Sequence, residues 1–289
     1  MRRLRRFLAL LGLTLRMAWK HDCLGQAKGA AYSTILFFFP LLLFIVSLLV
    51  ATHSFALVIR PITEFTPKLL PLETRDLVLD YVDKTAQLDP TKLLLISFLA
   101  MLWTGWGLMS SFIEGVNRPY GLHEDRSLLR NQWAAIKLLA VVSLPIIGLA
   151  GASVAAVALR SLAVGTGLSP SPLVWKSAKW GVVLLTMISV NGIIYRIGVH
   201  RRQTWREVTP GALLAAAIWI GATGLFGAYV AHFGRYNLIY GSLGAAIILF
   251  VWMYFSCFAV LLGGEFNAVL AHARTPLLEG GQGSSAPGC

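Results

Sequence analysis

Polar and apolar residues along this chain do not alternate on the short period of a soluble domain. They segregate into long blocks. Near 33–52, 93–113, 138–159, 178–196, 212–231 and 242–263 the chain is almost wholly apolar and free of Asp and Glu. A helix rises about 1.5 Å per residue, so a hydrocarbon layer of about 30 Å takes about 20 apolar residues to cross. The blocks have that length and predict six transmembrane helices. The fourth is the shortest, with sixteen uncharged residues between Lys179 and Arg196. Long basic side chains reach the interface from such a position, and Trp175, Trp180 and Tyr195 suit the headgroup layer. A membrane barrel would instead show segments of alternating hydrophobicity, so the expected class is all-α, polytopic.

The connections carry patterns of their own. In the first 30 residues, Leu4, Phe7, Leu8, Leu11, Leu15 and Trp19 recur at helical spacing, with Arg2, Arg5, Arg16 and Lys20 on wettable positions. That predicts an amphipathic helix lying in the cytoplasmic interface and leading into the first span. Cleavage as a signal peptide is not expected, because Arg16, Met17 and Trp19 crowd the candidate site and Lys20 and Lys28 follow it. The connection over 53–92 contains Pro61, Pro67 and Pro71. After them Leu77, Val78, Tyr81, Val82, Thr85 and Leu88 share one helical face, which predicts an amphipathic helix near 73–88. It would cap the bundle, cover a cavity or dock a periplasmic partner. Residues 31–273 form the expected membrane domain, and 274–289, Gly- and Ser-rich at the end, a disordered cytoplasmic tail.

Charge adds an orientation. Of the 25 Lys and Arg, sixteen fall in the N-terminal segment, around 118–137, in 196–206 and at Arg274. Five of the other nine lie in 53–92, where six acidic residues offset them. Basic residues stay on the cytoplasmic side, so both termini are expected there. The net charge of +12 sits beside spans, where anionic lipid headgroups account for it, and nucleic acid is not an expected partner. Cys23, Cys257 and Cys289 imply no disulfide framework.

Within the spans, Pro40 and Pro145 each remove a helical hydrogen bond and can kink their helices. Ala217 with Gly221, Thr223 with Gly227, and Gly224 with Ala228 are small-residue pairs that let another helix approach and permit a homo-oligomer. Polar groups at span ends need partners, because lipid penalises them by a few kcal/mol. Glu114, Asn117, Arg118 and Tyr120 close the second span, and Glu265 and Asn267 close the sixth. Arg196, Arg201, Arg202 and Arg206 share their level and could pair with them, as an ion-pair belt or as the rim of a transport path. His232, Arg235, Tyr236, Asn237 and Tyr240 crowd the outer turn between the fifth and sixth spans. The six histidines are isolated in sequence, no phosphate loop or GxSxG, CxxC or HExxH motif occurs, and no metal, cofactor or enzymatic activity is expected.

The run Tyr236-Asn237-Leu238-Ile239-Tyr240-Gly241-Ser242-Leu243-Gly244-Ala245, continuing through Trp252 and Tyr254 to Gly264-Glu265-Phe266-Asn267-Ala268, resembles the YihY/virulence factor BrkB family of bacterial inner-membrane proteins. Ala31-Tyr32-Ser33 with Pro40, Asn117-Arg118-Pro119-Tyr120, and Trp205 with Thr209-Pro210-Gly211-Ala212 resemble its other motifs in the same order. The resemblance implies six spans and a cytoplasmic N-terminus. The ribonuclease label that members have carried finds no His and Asp cluster here to hold a metal. The expected function is a transporter or exporter of a lipid or other amphiphile, with membrane lipids as partners. The alternative is a scaffold for an envelope complex, and a tRNA-processing ribonuclease ranks last.

Overall fold

The computed structural model describes residues 2–51, 89–122, 128–165, 171–233 and 237–279. Every element among them is helical: α1 (Arg2–Lys20), α2 (Cys23–Ala51), α3 (Pro90–Asn117), a 3-10 turn (Arg118–Tyr120), α4 (Leu128–Gly165), α5 (Pro172–Gly198), α6 (Trp205–Phe233) and α7 (Asn237–Glu279). Six helices, α2 to α7, are long and apolar enough to cross a membrane. Five of the six expected spans fall inside them with the helices running on past both ends, and the first, 33–52, is matched by α2 as far as Ala51, where the described residues stop. The 73–88 segment lies outside the described residues, as do the side chains of Tyr236, Asn237, Tyr240, Gly241, Ser242 and Gly244. The chain is helical as far as Glu279, so the stretch read as a disordered tail begins as a continuation of α7.

Helix starts follow local chemistry. The Asp89 carboxylate accepts from Thr91 N (3.1 Å) and Lys92 N (3.4 Å), with Pro90 at the position where a missing N–H matters least. Glu207 closes half of a capping box at the start of α6: its Oε2 accepts from Thr204 N at 2.8 Å, while Glu207 N donates to the Thr204 carbonyl at 3.0 Å. Between α1 and α2 the chain turns at Asp22, which has φ 53° and whose Oδ1 accepts from Gly25 N at 3.2 Å. Asp is one of the few residues that enter the left-handed region readily, because its side chain bonds the local backbone.

The chain divides into two compact units, Ser33–Gly107 and the remainder, with the boundaries inside α2 and α3. In the smaller unit, Phe44 packs on Phe98 with ring centroids 5.6 Å apart, and Ser47 and Ser97 are buried with their hydroxyls returned to the carbonyls of Leu43 and Leu94. Leu36, Phe39, Ile96 and Trp103 face outward. Such exposure of large apolar side chains suits a hydrocarbon surround and not water.

In the larger unit, α4, α5, α6 and α7 pack in sequence and α1 packs on α7. Its core lies towards one end. Buried residues concentrate in Leu108–Asn117 of α3, Ala135–Val142 of α4, Asn191–Val199 with the end of α5, Val208–Ala216 of α6 and Leu261–Val269 of α7. The other halves expose Leu144, Ile147, Leu185, Leu225 and Ile247. Small residues decide where helices close up. A Cβ added to Gly211 of α6 would collide with the Gly263 carbonyl of α7, and one on Gly263 would collide with the Tyr195 hydroxyl of α5. By contrast, a Cβ on Gly221, Gly224 or Gly227 would meet nothing within 4 Å among the described residues. Among the described residues those three glycines therefore touch no neighbouring helix, and the close crossing is made at Gly211, about three to four turns earlier.

Further along the same pair of helices, Trp219 Nε1 donates to Ser256 Oγ (3.1 Å) and Trp252 Nε1 to Thr223 Oγ1 (3.3 Å). The two indoles stack edge to face at 6.1 Å. Each apolar ring thus finds a hydroxyl for its one polar atom, which a low-dielectric surround rewards.

Candidate functional site

Asn117, Arg118, Tyr120, Arg196, Glu265 and Asn267 lie at the packed end of the larger unit, and they divide into two groups with different work. The first group joins helices. Asn117, 3% exposed, donates from Nδ2 to Ile113 O and to Gly198 O, both at 2.7 Å, and accepts at Oδ1 from His200 N at 2.8 Å. One amide thereby satisfies the open carbonyl at the end of α5 and the loop that follows it. Asn267, also 3% exposed, accepts from Gly211 N (2.8 Å) and donates to Val208 O (3.1 Å), pinning α7 to the start of α6 beside Pro210, whose ring supplies no N–H. Tyr195, expected at the headgroup layer, is 1% exposed and donates to Val260 O at 2.6 Å. Arg196 lies over the Trp205 ring at 4.7 Å from its centroid, and that ring rests against Gly192. The arginines of the 196–206 connection therefore do not meet Glu114 or Glu265 as ion pairs among the described residues.

The second group surrounds a cavity of about 670 Å³ between α1, the 3-10 turn and the end of α7. Leu13, Met17, Lys20 and His21 enter from α1, Asp22 from the corner, Arg118, Pro119, Tyr120 and Gly121 from the turn, and Glu265, Ala268, Val269, His272 and Ala273 from α7. Helical periodicity makes each wall. Positions 265, 268, 269 and 272 share one face of α7, and 13, 17 and 20 or 21 share one face of α1. Gly121, at φ 66°, closes the turn by donating to Arg118 O at 3.0 Å.

Glu265 is the deepest charged group, 1% exposed. Its Oε1 lies 2.9 Å from His21 Nδ1, and its Oε2 accepts from Cys23 Sγ at 3.7 Å. A carboxylate withdrawn from water is stable only when hydrogen-bonded, so this pair ties the α1–α2 corner to α7. Arg118 stands at the mouth. Its Nη1 donates to His21 O (3.4 Å), its Nη2 lies 3.0 Å from the Gln26 side-chain amide, whose oxygen accepts once the amide is turned to face the guanidinium, and Nη2 is 3.9 Å from Glu114 Oε1, with the Arg118 and Glu114 side chains about half exposed. The Tyr120 and His272 rings lie 6.5 Å apart, and His272 Nδ1 is 2.8 Å from Ala268 O. Among the described residues no group of three or more His, Cys, Asp or Glu is placed to share a metal ion.

Of the residues singled out in the sequence, the fold brings Arg118, Tyr120 and Glu265 to the cavity, sets Asn117, Asn267 and Gly211 in helix joints, and leaves Glu114 at the surface and Arg196 on Trp205. Tyr32 is exposed, while Pro40 lies inside α2 and Pro210 inside α6. Sequence reading missed Lys20, His21, Cys23 and His272. The helical-face count that found the amphipathic segments would have set His272 beside Glu265, seven positions away. Nothing local announces His21, which is 244 residues from its partner.

The chain matches the family described as Virulence factor BrkB over residues 14–286. It is 31% identical over 257 residues to YfkH of Bacillus subtilis (strain 168), a protein described as ribonuclease-like, covering 88% of this chain and 92% of that one. A UPF0761 membrane protein of Tolumonas auensis is 32% identical over 267 residues, covering 88% of this chain and 83% of its own. Another from Alkalilimnicola ehrlichii is 27% identical over 256 residues, 86% of this chain and 55% of the relative. No solved structure matches.

Proposed function

The chain belongs to the virulence factor BrkB family, and on that premise we propose that it is a multi-pass protein of the bacterial inner membrane, with both termini cytoplasmic, that transports or exports a lipid or other amphiphile. The observation that carries the reading is the cavity at the packed end of the larger unit, where apolar side chains and ionic groups line the same space. Small-molecule pockets occupy roughly 300–1,000 Å³ and combine an apolar lining with a few convergent polar groups, and this one does both. An ion path would be narrow and polar throughout. Charge bias supports the orientation, since the cavity sits at the ends that carry most of the basic residues.

The protein is not an enzyme in this reading. The word ribonuclease belongs to YfkH's description, and RNA cleavage here would need either a metal-holding cluster or a water-exposed acid and base in a basic groove. Neither arrangement supports that alternative as the cavity supports transport.

Fluorescently labelled phospholipid in proteoliposomes provides the test. The wild-type protein should speed transbilayer movement over protein-free vesicles, and Glu265→Ala and Arg118→Ala should each slow it. No acceleration by the wild type would sink the transport reading, and unchanged rates in both variants would remove these residues from it. Reporter fusions at residue 80 and at the C-terminus check the orientation, which fails if residue 80 reports from the cytoplasm.

A further inference from the structure

The cavity's charges are not evenly available. Its two carboxylates are engaged within the protein: Asp22 caps Gly25 N, and Glu265 is buried against His21 and Cys23. Its two permanent cations, Lys20 and Arg118, are exposed. Arg118 is held in place by His21 O and the Gln26 amide, while the carboxylate it pairs with among the described residues, Glu114, is 3.9 Å away and half exposed. An exposed pair of that kind is worth about 0–1 kcal/mol and exchanges readily for a better acceptor. A guanidinium set in a fixed orientation, with an ammonium beside the same space, matches phosphate oxygens, which accept two parallel N–H bonds and tolerate a second cation.

A second observation fixes where such a ligand would come from. Helix α1 buries Thr14 and Ala18 and lends Leu13 and Met17 to the cavity, yet it leaves Leu8, Leu15 and Trp19 57%, 58% and 78% exposed on another face. Arg5 and Arg16 are exposed on the same helix, which has no acidic residue. That combination fits the headgroup boundary of an anionic leaflet. A helix set at that boundary would lie on the leaflet while walling the cavity, so that a headgroup would enter sideways at its own depth.

Resting on the amphiphile reading above, we infer that the cavity receives a phosphate-bearing, anionic headgroup between Lys20 and Arg118, with the attached chain against Leu13, Met17 and Val269. The shared chemistry is phosphate, from a lipid or free in the cytoplasm.

Titration calorimetry on the purified full chain in neutral detergent separates these sources, using dihexanoyl phosphatidylglycerol, the phosphatidylcholine and phosphatidylethanolamine analogues, and sodium phosphate. Phosphatidylglycerol should bind about tenfold tighter than phosphatidylcholine, and Lys20→Ala and Arg118→Ala should each weaken it about tenfold, the ratio that 1.4 kcal/mol of charge-assisted contact gives. Arg16→Ala, exposed on α1 but outside the cavity, should leave binding within about twofold, as surface charges do. Lys20→Ala, at an exposed helix end, keeps the test alive if Arg118→Ala does not fold. Equal binding of all three lipids, unaffected by Lys20→Ala, overturns the anionic headgroup and leaves the amphiphile reading standing. So does tightest binding of phosphatidylethanolamine, or an equal loss in Arg16→Ala. Sodium phosphate binding as tightly as phosphatidylglycerol and displacing it keeps the phosphate site and removes the amphiphile reading.

Discussion

Gly211→Ala should damage this protein far more than Gly224→Ala, although both replace a glycine on the same helix. The methyl at 211 would fall on the Gly263 carbonyl oxygen and on the Asn267 side-chain amide. A carbonyl fixed in a helix cannot turn away, so α6 and α7 must separate. Overpacking of this kind costs about 1–3 kcal/mol. Separation also breaks the two Asn267 bonds, to Gly211 N and Val208 O, each worth about 1 kcal/mol. The total is about 3–5 kcal/mol, or roughly 10 °C in melting temperature for a chain of this size. At 224 the added methyl meets nothing within 4 Å among the described residues, and Ala exceeds Gly in helix propensity by up to about 1 kcal/mol, so that variant should melt at or slightly above the wild type. Thermal unfolding of both proteins in the same detergent, followed by tryptophan fluorescence, makes the comparison. A Gly211→Ala protein melting within about 2 °C of wild type, less than 1 kcal/mol on this scale, would refute the tight crossing. Equal losses in both variants would show that the Gly221–Gly227 face packs after all.

Glu265→Ala should open the α1–α2 corner: in a Cys289→Ser background, maleimide should label Cys23 at least severalfold faster than in the parent, while Cys257, buried about two turns earlier on α7, should keep its rate. Identical Cys23 rates would mean that the His21–Glu265 contact does not hold the corner. Asn117→Ala removes two donated bonds and one accepted bond in a buried joint, so about 2–3 kcal/mol of stability should go, with Asn117→Asp recovering only the contact to His200 N. Detergent melts would contradict that account if Asn117→Asp matched the wild type.

The cavity was half legible in the sequence. Arg118, Tyr120 and Glu265 stood out because an ionisable or polar residue at the end of an apolar block has few reasons to be there. Asn117 and Asn267 looked the same by that argument and proved to be joints, since an amide that donates and accepts serves a helix end as well as it serves a ligand. His21 and His272 are isolated along the chain and share the cavity only because the fold brings the α1–α2 corner to α7.

The sequence by itself determined the spans, the class and the bias of positive charge, because hydrocarbon acts on each helix separately: length, hydropathy and the cost of an unpaired charge are properties of a segment alone. The tertiary structure alone decided which small residues touch and which carboxylate is buried. Gly211 and Gly224 are the same residue in similar apolar surroundings, and only the crossing of α6 with α7 makes one a contact and leaves the other open. Glu265 gains its partners from a helix at the far end of the chain, and no local pattern encodes a meeting between segments so distant in sequence.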